Sequence, residues 1–229
     1  MKIGHVQKTS FIDYPGKISA VVFTQGCNFR CPYCHNPELV DKKLYTEAIL
    51  QDYVYSFLAK RRGKLDAVVI TGGEPTLQKG LMSFMQRVKS MGYLIKLDTN
   101  GSRPAVVQDV LRKNLVDYIA MDVKAPWDKY SAAAGSLVDI THIRKSVSLI
   151  MSSGIEYEFR TTIVKSILKE QDVLNIGKII KGARLYVLQK FVASKHLDKD
   201  FTEGIPYTDS EMTHFSSELR SIADRCIVR

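Results

Sequence analysis

A chain of 229 residues, 45% of them hydrophobic, is long enough for one sizeable core, and its length slightly favours one domain over two. Four cysteines, three of them in one loop, argue against a disulfide framework and for a reducing, cytoplasmic compartment. No apolar run approaches a membrane span, and a net charge of +9 spread over scattered Lys and Arg, with short clusters such as Lys60-Arg61-Arg62, permits nucleic acid without pointing to it.

Residues 1–17 read as a polar lead-in that ends at the turn Tyr14-Pro15-Gly16. Residues 18–24 are predicted as the first strand, and Gly26 turns the chain into Cys27-Asn28-Phe29-Arg30-Cys31-Pro32-Tyr33-Cys34. A helix is expected from Thr46, with Leu50, Tyr53, Val54, Phe57 and Leu58 at helical spacing and Gly63 at its end. Residues 65–70 form a continuous apolar strand of the kind buried in parallel sheets, and it runs into Gly72-Gly73-Glu74-Pro75. Leu81, Phe84, Met85 and Val88 mark a helix closed by Gly92, and the strand at 93–97 leads to Asp98-Thr99-Asn100-Gly101.

Pro104 starts a helix through Val107, Val110 and Leu111, and the strand at 116–121 ends in Asp122-Val123-Lys124. Ile143, Val147, Ile150 and Met151 mark a helix stopped by Gly154, before an alternating strand at 156–164 that carries Arg160. Val173, Ile176, Ile179 and Ile180 line a helix stopped by Gly182, and residues 185–192 make a sixth strand. Thr208-Asp209-Ser210-Glu211 is a capping-box pattern opening a last helix that buries Met212, Phe215, Leu219 and Ile222. Cys226 falls at that helix's end, as an inert small hydrophobe.

Six strands alternating with helices predict one α/β domain over residues 1–229, with the core at 18–192 and a C-terminal extension at 193–229. The polar motifs fall just after strands, at the edge where parallel barrels and open sheets assemble their sites. A partial barrel and a doubly wound open sheet both satisfy that pattern.

The spacing C-x3-C-x2-C lets one loop fold three thiolates around an inorganic centre. Three thiolates on a four-iron cubane leave one iron open for a ligand. The other readings are a zinc site, which needs four ligands usually drawn from two separate pairs, and inert thiols. Gly72 and Gly73 let backbone approach a ligand closely, with Glu74 beside them to accept from an ammonium; a plain tight turn is the alternative.

Taken together, Cys27-x3-Cys31-x-Tyr33-Cys34 and Gly72-Gly73-Glu74-Pro75 resemble the radical S-adenosylmethionine enzymes, over residues 18 to about 192. The resemblance implies a partial (β/α)6 TIM-type barrel of parallel strands, a [4Fe-4S] cluster on Cys27, Cys31 and Cys34, and S-adenosylmethionine chelated at the open iron. One-electron cleavage then gives methionine and a 5′-deoxyadenosyl radical. Within that superfamily the chain is similar to the glycyl-radical-enzyme activases, and to the activase of anaerobic ribonucleoside-triphosphate reductase in particular. Phe11-Ile12-Asp13-Tyr14-Pro15-Gly16, Cys34-His35-Asn36-Pro37-Glu38, Asp98-Thr99-Asn100-Gly101 and Met121-Asp122-Val123-Lys124 carry that similarity.

By the same resemblance, backbone around Tyr33, Cys34 and His35 meets the adenine, and Gly72, Gly73 and Glu74 hold the methionine amino group. Asp98 and Asp122 hold a monovalent cation or polar atoms of the cofactor; Lys124 and Arg160 are candidates for its carboxylate or ribose, against plain solvated strand ends. The implied partners are a glycyl radical enzyme and a reductant such as flavodoxin or ferredoxin. Gln189 reads as a barrel-interior amide and His35 as a structural hydrogen-bonder. His196 reads as a surface residue, and Trp127 as core or as part of a partner-binding edge. Two other readings stand beside the activase: a superfamily member acting on a small molecule, such as a deazapurine synthase, and a metal-stabilised module that binds nucleic acid. The region 192–207 departs from the pyruvate formate-lyase activases.

Overall fold

A computed structural model describes residues 1–192, 197, 201 and 205–229. The apolar runs form parallel strands because both of their faces are covered: β2 (Ser19–Thr24), β3 (Ala67–Gly72), β4 (Leu94–Thr99), β5 (Tyr118–Asp122), β6 (Glu156–Ile163) and β7 (Tyr186–Lys190) pair in sequence order. Helices fill the crossovers: α1 (Pro37–Val40) and α2 (Gln51–Lys60), then α3 (Leu81–Ser90), α4 (Pro104–Arg112), α5 (Tyr130–Ala134) with α6 (Ile140–Met151), α7 (Glu170–Ile179) and α8 (Asp209–Glu218). Six strand–helix units make the partial (β/α)6 barrel.

Successive strand side chains point to opposite faces, so the strands build two cores. The large one lies under the helices and includes Phe84, Met85, Ile95, Ile119 and Ile176. The small one lines the concave side, where Val21, Ala67, Val69, Tyr118 and Ala120 pack with Tyr14, whose ring lies 5.6 Å from that of Tyr118.

Two strands depart from expectation. The lead-in contains β1 (Ile3–Ser10), antiparallel to β2 and at the sheet's edge; its intervening residues face partly to solvent, so its polar sequence carries no apolar run. Cys226 lies not on the last helix but in β8 (Cys226–Val228), parallel to β7 at the opposite edge and too short to show a period. The helix expected from Thr46 begins at Gln51; Leu50 precedes it, and Leu50 and Tyr53 are exposed while Val54 and Leu58 carry its buried face. The last helix is capped as read, with Glu211 N–H donating to Thr208 Oγ1 at 3.2 Å and Thr208 N–H donating to Glu211 Oε2 at 2.8 Å. His196 lies outside the described residues. No described helix is long and apolar enough to cross a membrane.

Candidate functional site

The C-terminal ends of the parallel strands surround one cavity of about 530 Å³. Cys27, Cys31 and Cys34 form one wall, with Tyr33 and His35 beside them. Gly72, Gly73 and Glu74 after β3, Asp98 of β4, Asp122 and Lys124 at the end of β5, and Arg160 of β6 line the rest. Every residue singled out above as a site candidate therefore borders the same space, as does Gln189. Trp127 does not. It stacks on Tyr130 and under Arg144, and lines an outer groove of about 630 Å³ with Met151 and Lys178.

The cysteine loop is held from both sides. Gly26 N–H donates to Leu39 of α1 at 2.7 Å and Arg30 N–H to Ala134 of α5 at 2.8 Å. Phe29 N–H lies 3.3 Å from the Cys27 sulfur, and Asn100 Nδ2 lies 3.9 Å from it while donating to Asn28 Oδ1 at 3.0 Å. Burial pushes the Cys27 thiol up to about 12 and raises Cys31 and Cys34 as well. Such thiols ionise readily only onto a cationic centre.

The donor set suits an iron–sulfur centre: three soft sulfurs share one wall, with room beside them for a nucleoside-sized ligand, since small-molecule pockets run to roughly 300–1,000 Å³. The buried Tyr33 hydroxyl has no hydrogen-bond partner among the described residues, as suits a donor kept for a bound group. A closed zinc site needs four ligands on one ion, and among the described residues no three His, Cys, Asp or Glu side chains converge on one.

The two glycines serve the protein before any ligand. A Cβ on Gly72 would lie 2.4 Å from Thr24 N, and one on Gly73 would lie 2.2 Å from Gly26 O. Glycine here lets β3's end lie against the root of the cysteine loop. The Glu74 carboxylate is buried and already bonded: Oε1 accepts from Thr76 N at 3.0 Å, from Thr99 Oγ1 at 2.8 Å and also from the Thr76 hydroxyl, and Oε2 accepts from Asn100 N at 2.7 Å. It thus ties the loop after β3 to the end of β4. Burial raises its carboxyl, and these donors oppose the rise.

The cavity floor is charged. Arg160 Nε lies 2.9 Å from Asp122 Oδ1 and its NH1 3.1 Å from Asp98 Oδ2. Lys96 and Lys124 each lie 2.9 Å from a further oxygen of Asp98 and Asp122, respectively. These are not solvated strand ends: the two lysine and Arg160 side chains are 3 to 15% exposed. Sequence reading missed Lys96, whose signal was a lone charge inside the apolar strand Leu94-Ile95-Lys96-Leu97, and it assigned no roles to Thr99 and Asn100. It also missed Arg229, which follows β8 and reaches the cavity and Glu158.

Burial opposes ionisation of Asp98 and Asp122, but Arg160 and then Lys96 or Lys124 override it and hold both carboxyls below the usual range, about 3.9. Because the folded values are depressed, the stability they contribute is complete above about pH 4 and lost as pH falls through the folded values. Asp122→Asn should therefore be less stable than wild type at pH 7, with the gap narrowing toward pH 3. Urea midpoints of both proteins across that range measure it, and a gap independent of pH would contradict it.

Comparison with known proteins shows the family and the fold. The family model of the Radical SAM superfamily matches residues 21–175. The chain is 34% identical over 228 residues to a Methanocaldococcus jannaschii protein named provisionally as a glycyl-radical enzyme activating enzyme, covering 96% of this chain and 92% of that one. It is 26% identical over 205 residues to the 7-carboxy-7-deazaguanine synthase of Thermococcus kodakarensis, covering 81% and 78%. The fold is shared with Streptococcus suis SuiB bound to S-adenosylmethionine, at a TM-score of 0.68 and 12% identity over 91% of this chain and 49% of that one.

Proposed function

The chain belongs to the radical SAM superfamily, among the glycyl-radical enzyme activating enzymes, and on that premise we propose that it installs a glycyl radical on an anaerobic ribonucleoside-triphosphate reductase. It is an enzyme of [4Fe-4S] and S-adenosylmethionine chemistry, so the nucleic-acid module weighed from its charge falls away. The observation that carries the reading is the single cavity in which the cysteine trio faces Glu74, Asp98, Asp122, Lys124 and Arg160.

In this reading Cys27, Cys31 and Cys34 hold the cluster. A cluster held there would offer an open iron and one electron for the reductive cleavage of S-adenosylmethionine to methionine and a 5′-deoxyadenosyl radical, which would take a hydrogen atom from a partner's glycine. The chain's own residues bind and orient. Backbone at Gly72 and Gly73 lines the place for the methionine amino group, and Glu74 fixes that loop from behind. Lys124 and Arg160 offer positive charge to the carboxylate or ribose, and Tyr33, Cys34 and His35 flank the adenine. The electron comes from a reductant such as flavodoxin or ferredoxin.

Anaerobically reconstituted protein, given S-adenosylmethionine and a strong reductant, should release 5′-deoxyadenosine, and Cys31→Ala should fall to the background of a cluster-free control. Adding the reductase should then produce a glycyl radical signal in electron paramagnetic resonance. The likeness to a deazaguanine synthase supports a second reading, action on a small molecule. Product formation with no protein partner would favour that reading.

A further inference from the structure

We infer that the protein works without an alkali cation at Asp98 and Asp122, because the Arg160 guanidinium stands where one would bind. Resemblance to pyruvate formate-lyase activase implies a monovalent cation between two such carboxylates. A hard cation needs free oxygen ligands. Here three of the four carboxylate oxygens accept hydrogen bonds, and the fourth, the buried Asp98 Oδ1, accepts none among the described residues but lies against an ammonium. Asp98 Oδ1 faces Lys96 Nζ at 2.9 Å, and Asp98 Oδ2 faces Arg160 NH1 at 3.1 Å and accepts from Thr71 Oγ1 at 3.2 Å. Asp122 Oδ1 faces Arg160 Nε at 2.9 Å, and Asp122 Oδ2 faces Lys124 Nζ at 2.9 Å.

Three fixed cations already surround two carboxylates. A fourth positive charge would meet repulsion from all three and would have to displace a guanidinium that bridges both acids. The strands hold this arrangement in place. Arg160 sits directly beside Asp122 in the pairing of β5 with β6. Lys96 lies two residues before Asp98 on the same strand face, buried, with its ammonium 5.8 Å from the Tyr118 ring centre. Arg160 is therefore a positioning residue that supplies, from the chain itself, the charge a bound ion would bring.

The test exchanges potassium or sodium chloride for choline chloride at constant ionic strength on the reconstituted protein. It reads the melting temperature and the calorimetric affinity for S-adenosylmethionine. Wild type should show no change in either on exchange. Arg160→Gln, which removes the charge and empties the space between the acids, should melt several degrees higher in alkali salts than in choline. Arg160→Lys, which keeps the charge, should not respond.

A wild-type melting temperature or affinity that rises with alkali cation would overturn the inference, as would an Arg160→Gln protein indifferent to the salt. If that variant does not fold, the wild-type exchange decides alone. The affinity arm rests on the proposed function; the melting arm does not. Absence of S-adenosylmethionine binding would count against that function and leave the melting result to judge the cation.

Discussion

Gly73→Ala is expected to deprive the protein of its cluster although it changes no ligand. A Cβ there would lie 2.2 Å from Gly26 O, 2.6 Å from Gly26 C and 3.1 Å from Gly26 N, all backbone atoms, so no rotamer change relieves the overlap. The segment cannot simply retreat, because Gly73 N–H donates to Thr24 O at 2.8 Å and Glu74 N–H to Gly26 O at 2.7 Å. Either those bonds break or residue 26 moves, and Cys27 moves with it.

Overpacking costs about 1–3 kcal/mol and each lost hydrogen bond about 1 kcal/mol, so a loss of roughly 2–4 kcal/mol is expected. Because a misplacement of about 1 Å at a reacting centre can cost on the order of 100-fold in rate, 5′-deoxyadenosine release should fall by at least that factor. Iron and sulfide content after reconstitution, measured beside the rate, separates loss of the cluster from loss of alignment. Wild-type content and rate together would show that the loop yields more easily than its contacts indicate.

Arg229→Met should lower the stability of the protein by breaking a buried ion pair. Glu158 is fully buried on β6, and Arg229 meets it with two nitrogens at 3.0 and 3.1 Å, while the Tyr118 hydroxyl donates at 3.1 Å. Removing the guanidinium leaves a buried carboxylate with a single donor. A broken buried pair costs about 3–5 kcal/mol, and water reaching the 39% exposed Arg229 side reduces that to about 2–3 kcal/mol.

At roughly 2–4 °C per kcal/mol for a protein of this size, the melting temperature should fall by about 5–10 °C. The double variant Arg229→Met, Glu158→Gln removes the stranded charge and should recover part of the loss. If the single variant melts with wild type, the pair is a solvated contact and β8 is held by its backbone alone.

Arg229 and Glu158 also show where legibility stops. The partners are 71 residues apart in sequence, one just after β8 and the other on β6, and nothing local in either stretch announces the other. The same is true of Lys96: its charge stood out in an apolar strand, but the reason for burying it is Asp98 and the bridge through Arg160 to Asp122. Sequence reading took Glu74 as a ligand group. The structure commits its carboxylate to Thr76, Thr99 and Asn100, a task set by how close the ends of β3 and β4 lie.

By itself, the sequence determined whatever depends on short range. Cysteine spacing dictates how one loop can wrap a centre, apolar runs dictate buried parallel strands, and Thr208 with Glu211 dictates a helix start, because each involves residues within one turn or one strand. Only the tertiary structure decided that the sheet curves far enough for its strand ends to share one cavity, that polar β1 and short β8 form its edges, and that the acid pair is closed by a guanidinium. Those outcomes turn on pairings between distant strands, where burial makes every charge find a partner that composition and periodicity do not name.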